Sequence, residues 1–316
     1  LMDATKVINT PNPNYKRKLG LKSSQTRTAF SSENMLLAEA HCHTSRDDPK
    51  PNDWQSTITL RRVALPQQGY KTMVLSEPGK PLEFNVVMND LALSTDGKRL
   101  ALLDGNCEIR VWDVATNREV SKFRLPREAI KIALSPDYRT LAAGHTDGTV
   151  SFWLADSGWK LNRSLFTIRN HVGQINALAF SKDGKLLASG AEDTIVKIGL
   201  INVDSRQNVT YLQEGADFVQ EVLAKTQPIV GDSKIITKTT PRNLTFSPNG
   251  SLLASIVTYS FDGPQSIRGR VWELSSRKEI SSFPANFDDV ELGFSRDANR
   301  IIKISNYGRF EPWRAR

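Results

Sequence analysis

Two stretches decide the fold: Phe180-Ser181-Lys182-Asp183-Gly184-Lys185-Leu186-Leu187-Ala188 and Phe246-Ser247-Pro248-Asn249-Gly250-Ser251-Leu252-Leu253-Ala254 are one phrase written twice. Looser copies read LSTDGKRLA from Leu93, LSPDYRTLA from Leu134, FSRDANRII from Phe294 and FSSENMLLA from Phe30, which makes six. With the serine as anchor, the copies stand at 31, 94, 135, 181, 247 and 295, spaced by 63, 41, 46, 66 and 48 residues. The three short intervals suit a repeating unit of four strands, and each long one requires an insertion of about 20 residues on that scale.

Tryptophan keeps step with the phrase. Trp112, Trp153 and Trp313 each lie 18 residues after their anchor, an offset that chance rarely preserves three times. Each copy reads as a hairpin. Around Ser181, alternation in Ile175, Ala177 and Ala179 predicts a strand, Asp183-Gly184 supplies positive-φ residues for a tight turn, and Leu186 starts the returning strand. A meander this thin cannot bury its own faces, so the units must stack on one another.

These residues resemble the WD repeats of the β-propeller family, and the resemblance covers the chain from about Gln25 to Arg316. It implies an all-β fold of four-stranded antiparallel blades around an axis. The Trp-Asp dipeptide survives at Trp112-Asp113, while the other copies read Trp153-Leu154, Trp272-Glu273 and Trp313-Arg314. In this family a His, a Ser or Thr, an Asp and a Trp form a hydrogen-bonded set that stiffens a blade. Here His171, Ser189 and Asp193 match that set with Gly199 in place of the Trp, and Asp147 and Trp153 match it with Ala143 in place of the hydroxyl.

Six blades are expected in one domain spanning 1–316. Seven would need three more strands upstream. The last repeat stops after its third strand, so Lys6 to Ile8 is expected to pair with it and close the ring. Insertions are expected at about 38–55, with His41 to Asp53 as a loop, and at 204–239, where Asp217 to Lys225 has the apolar spacing of a short helix. A smaller insertion, Thr258 to Ser266, carries Trp272 to 25 residues after its anchor. The start at Leu1 fits a module cut from a longer protein.

Composition narrows the function classes. With 39% hydrophobic and 24% charged residues and a net charge of +8, the chain has apolar residues enough for a full core. Two cysteines give no disulfide framework and point to a reducing, cytoplasmic setting. Gly-x-Ser-x-Gly, P-loop, Gly-x-Gly-x-x-Gly and His-Glu-x-x-His patterns are all missing from the sequence, so no enzyme and no cofactor are expected. His41-Cys42-His43 fits no standard zinc spacing. Lys16-Arg17-Lys18 leaves nucleic acid as a lesser possibility, because no stacking aromatics alternate with the charges.

The resemblance implies a docking platform. In the family, the residue five before the anchor serine and the residue before the blade's Asp face the propeller mouth. Carried over, they are Thr26, Asn89, Ile130, Asn176, Arg242 and Val290, with Thr146 and Glu192. This mixed ring suits a peptide or protein with polar and apolar anchors. The favoured reading is a non-catalytic interaction scaffold that binds a protein or peptide partner at the propeller mouth and the inserted loops, within a larger complex. A regulatory module of a larger signalling protein and a basic nucleic-acid-binding propeller are the alternatives. Neither a membrane nor a small-molecule substrate is expected.

Overall fold

The computed structural model describes residues 23–31, 33–64, 74–76, 81–155, 161–169, 171–193, 196–203, 209–214, 236–261, 263–276, 278–286, 289–305 and 310–314. Their strands form six antiparallel sheets. The first holds β1 (Ser23–Ser31), β2 (Leu36–Thr44), β3 (Gln55–Ala64), β4 (Val74–Ser76) and β5 (Leu82–Phe84). The second holds β6 (Met88–Leu93), β7 (Arg99–Asp104), β8 (Glu108–Asp113) and β9 (Arg118–Arg124). The third holds β10 (Ala129–Leu134), β11 (Thr140–His145), β12 (Thr149–Ala155) and β13 (Leu161–Arg169). The fourth holds β14 (Ile175–Phe180), β15 (Leu186–Ala191), β16 (Val196–Val203) and β17 (Val209–Glu214). The fifth holds β18 (Ile236–Phe246), β19 (Leu252–Phe261), β20 (Gly263–Glu273) and β21 (Lys278–Pro284), and the sixth β22 (Asp289–Phe294), β23 (Arg300–Ser305) and β24 (Phe310–Arg314).

Five sheets therefore carry four or more strands, and the last carries three among the described residues. The expectation of six four-stranded blades is corrected to that extent. Residues 1–22, and with them the expected closing strand at Lys6 to Ile8, lie outside the described residues, as does the helix expected at Asp217 to Lys225.

The repeated phrase builds five of its six turns in the same way. The anchor hydroxyl donates to the acid or amide two residues on, as in Ser181 to Asp183 at 2.6 Å and Ser247 to Asn249 at 2.7 Å. It also accepts the backbone N–H five residues on, at 2.9 Å from Leu186 and from Leu252. The hydroxyl is buried at all six anchors; these bonds satisfy it at five, and at the first the Ser31 hydroxyl donates to the Thr95 carbonyl instead. Only one residue per turn has positive φ: Met35, Gly97, Tyr138, Gly184, Gly250 and Ala298, so Asp183 does not share the role with Gly184.

Core residues alternate between the two faces of each sheet. Leu100 and Leu102 of β7 pack with Ala38, Ala40 and Ile58 of the first sheet, while Ala101 and Leu103 pack with Leu134, Leu141 and Trp153 of the third. In β23, Ile301 joins Leu252, Phe283 and Phe294, whereas Ile302 and Ile304 join Leu37 and Phe30 of the first sheet. The first and last sheets thus pack together. Each such fully buried Leu or Ile contributes roughly 1.5–3 kcal/mol, which is how sheets too thin to fold alone hold one another.

The insertions differ from their reading as loops. His41, Cys42, His43 and Thr44 belong to β2, with Cys42 buried and its sulfur accepting the Met88 N–H at 3.5 Å. Alternating apolar positions in Leu36 to Cys42 extend that strand, and the connection shrinks to residues 45–54 around one 3-10 turn at Pro51–Asp53. Thr258 to Ser266 is a lengthening of the β19–β20 hairpin, whose pairing runs out to Phe261 opposite Gly263.

Candidate functional site

One residue in the innermost strand of five sheets is left out of the ladder. Register shifts fall between Met88 and Asp90, Ala129 and Lys131, Ile175 and Ala177, Pro241 and Asn243, and Asp289 and Glu291. The residues skipped are Asn89, Ile130, Asn176, Arg242 and Val290. A bulge of this kind re-aims the side chain of its extra residue. The first sheet has no such shift: Thr26 pairs with His41 in unbroken register. Its neighbour Arg27 reaches across instead, donating from Nε to the Asn89 carbonyl at 2.8 Å.

Thr146 and Glu192 are exposed and sit at the same end of their sheets. Thr146 follows His145, which lies opposite Ala129, and Glu192 follows Ala191, which lies opposite Ile175. The Glu192 N–H donates to the Gln174 carbonyl at 3.0 Å, and the Gln174 amide donates to Asn176 at 3.1 Å.

One residue deeper lies a polar layer that the sequence reading did not single out: Asp90, Lys131, Asn243 and Glu291, with Ala177 in the fourth sheet. All five line a channel of about 160 Å³ between the innermost strands. Lys131 Nζ meets Asp90 Oδ1 at 2.9 Å, and the second Asp90 oxygen accepts the Ile132 N–H at 2.8 Å. Asn243 Nδ2 donates to Glu291 Oε1 at 3.2 Å. Burial pushes the Glu291 carboxyl up to about 7; Lys131 and Asn243 oppose the rise and Asp90 adds to it. Asn243 is a wall residue here.

The stiffening sets lie away from the channel. His171 Nδ1 meets Asp193 Oδ2 at 2.9 Å, and its Nε2 lies 2.9 Å from Ser189 Oγ. Asp193 also accepts the Val172 N–H at 2.9 Å. Gly199 stands opposite Leu187, the register position at which Trp112, Trp153, Trp272 and Trp313 stand opposite Leu100, Leu141, Leu253 and Ile301. Trp272 and Trp153 are buried, Trp112 is half-buried edge-on to Phe84, and Trp313 is 39% exposed.

In the third sheet Asp147 is exposed and serves Thr149 and Arg127. The hydroxyl missing at Ala143 is supplied from another strand: His145 Nε2 lies 2.9 Å from Ser151 Oγ, which lies 2.8 Å from Thr167 Oγ1. The alternation of Thr149, Ser151 and Trp153 was the available signal. Both ring nitrogens of His145 and of His171 are engaged, the former's Nδ1 by the Glu128 carbonyl at 3.0 Å. Among the described residues no group of three or more His, Cys, Asp and Glu side chains could hold a metal ion. None of their helices is long and apolar enough to cross a membrane. Lys16-Arg17-Lys18 lies outside the described residues.

The family model described as "WD domain, G-beta repeat" matches residues 121–153 and 162–198. Protein hir-1 of Neurospora crassa is 26% identical over 193 residues, 57% of this chain and 18% of that protein. Cell division cycle 20.5, cofactor of APC complex, of Arabidopsis thaliana is 28% identical over 130 residues, 41% of this chain and 27% of that protein. Eukaryotic translation initiation factor 3 subunit I of Drosophila willistoni is 29% identical over 123 residues, 35% and 38% of the two chains. The chain spans less than half the length of these relatives. In structure it is similar to the Cps50 (Swd1) beta-propeller domain of Myceliophteria thermophila, with TM-score 0.55, 12% identity, and 93% and 100% of the two chains covered. It is also similar to a chain of the Mitotic Checkpoint Complex, with TM-score 0.51, 15% identity, and 92% and 89% covered.

Proposed function

Because the chain belongs to the WD-repeat β-propeller family, we propose that it is a non-catalytic scaffold that docks a protein or peptide partner at the mouth of the ring. The observation that carries this reading is the series of bulges: Asn89, Ile130, Asn176, Arg242 and Val290 hold the same position in five successive sheets and are spared from ladder pairing. Side chains held on a rigid rim lose little conformational freedom on binding, so their contacts convert efficiently into affinity. Asn, Ile, Arg and Glu together favour a partner with both polar and apolar anchors.

Two relatives carry complex membership in their names, as a cofactor of the APC complex and as a translation initiation factor subunit. That supports work inside a larger assembly. Both cysteines are free, which suits a reducing, cytoplasmic setting.

The test is retention of cellular proteins on the immobilised chain, compared with an Asn176→Ala, Glu192→Ala double variant. Loss of a defined set of proteins from the variant is expected. An unchanged set would overturn docking at the mouth.

A further inference from the structure

The channel just inside the mouth holds a carboxyl that forms no ion pair with any described residue, beside an amide oxygen with no donor. Lys131 is committed to Asp90, whose other oxygen is held by the Ile132 N–H. Arg27 is committed to Asn89, Thr26 and Gln25 at the rim, through bonds of 2.8, 3.2 and 2.8 Å. Glu291 makes no ion pair with any described residue, and the amide bond from Asn243 is what it receives across the sheet boundary. By donating to Glu291, Asn243 leaves its Oδ1 shielded from solvent and without a partner. Glu291 and Asn243 both line the cavity: the carboxyl receives the Asn243 amide and the Leu292 N–H but no cation pairs with it, and Asn243 Oδ1 has no donor.

The gap beside them has the size of a side chain. Ala177 is the one small residue in a layer otherwise made of Asp90, Lys131, Asn243 and Glu291. The channel of about 160 Å³ has room for one extended side chain.

We propose that this channel receives one cationic side chain, Lys or Arg, from the docked partner, with its N–H groups donated to the Glu291 carboxylate and to Asn243 Oδ1. The inference rests on docking at the mouth and adds to it the chemistry of the central anchor. Ion-paired hydrogen bonds inside a channel are stronger than at an open surface, so one such residue would set both register and specificity.

The test uses three capped tripeptides, acetyl-Gly-Lys-Gly-amide, acetyl-Gly-Arg-Gly-amide and acetyl-Gly-Gln-Gly-amide, titrated by calorimetry into the whole chain. The Lys or the Arg probe is expected to saturate in the millimolar range or below and to lose about tenfold or more in affinity on Glu291→Gln, while the Gln probe does not bind. A Glu83→Gln variant, altered outside the channel, is expected to bind as the unaltered chain does, and circular dichroism checks that each variant keeps its β-structure. Undiminished binding by folded Glu291→Gln, or no saturation by either cationic probe up to about 10 mM, overturns the proposal. If the probes fail while protein retention still depends on Asn176 and Glu192, docking at the mouth stands and only the cationic anchor falls.

Discussion

Phe30 of the first sheet lays its ring edge against Gly293 of the last, so close that a β-carbon on residue 293 would stand 2.2 Å from Phe30 Cδ1. This contact joins the two ends of the repeat series, where Leu37, Ile302 and Ile304 form the buried cluster. Gly293→Ala is expected to force these sheets apart and cost about 1–3 kcal/mol in urea unfolding. Phe30→Leu in the same chain should recover part of the loss, a coupling that a double-mutant cycle reads directly. Simple additivity of the two changes would mean that the sheets do not bear on each other there.

His171 links the connection entering the fourth sheet to Ser189 in β15 and to Asp193 beyond it. Gly199 gives that sheet no tryptophan to pack at the ladder position opposite Leu187, so the polar set carries more of its order. His171→Ala removes the bonds to buried Ser189 and to Asp193 and is expected to cost about 1–3 kcal/mol, with amide exchange quickening first in β15. A uniform rise in exchange across all sheets would count against a local role.

Glu291 gives stability a pH signature. Its carboxyl is raised by burial from the ordinary 4.5 to about 7, so the folded chain holds a proton that the unfolded chain has lost. Between those values the contribution to stability falls as pH rises, and it levels off above about 7. Glu291→Gln should flatten this part of the profile and leave the variant more stable near pH 8, by about 1 kcal/mol or more. His145 acts in the opposite sense: burial lowers its titration, so its neutral form is favoured and stability drops as pH falls below its ordinary 6.5. Denaturant titrations between about pH 5 and about pH 8 on both chains separate the two.

The rim residues should prove silent in folding. Ile130→Ala and Asn176→Ala remove side chains that are only half-buried and stand on bulges, so each is expected to shift stability by less than about 1 kcal/mol. Thermal unfolding measures it. A larger loss at Asn176 would identify that side chain as part of the structural frame.

The period, the turn phrase and the rim positions were legible because each is a local pattern repeated along the chain. An anchor serine, a positive-φ residue three positions on and an apolar strand return together, and the offset between anchor and tryptophan fixed which residue faces which, including Gly199. What escaped notice depends on neighbours distant in sequence. The polar layer of Asp90, Lys131, Asn243 and Glu291 exists only because several sheets meet at one axis. The hydroxyl that serves His145 comes from Ser151, since in a meander a missing side chain can be replaced from the next strand over. His41 to Thr44 read as loop because polar residues mask the alternation that keeps Cys42 buried.

A bulge adds a residue without consuming a rung of the ladder. The five bulge positions can therefore change identity while every rung, anchor and buried cluster stays as it is, so that if partners dock there, as proposed, drift in their choice leaves the folding untouched. Two descendants of such a chain could diverge entirely in their choice of company and still superimpose strand for strand.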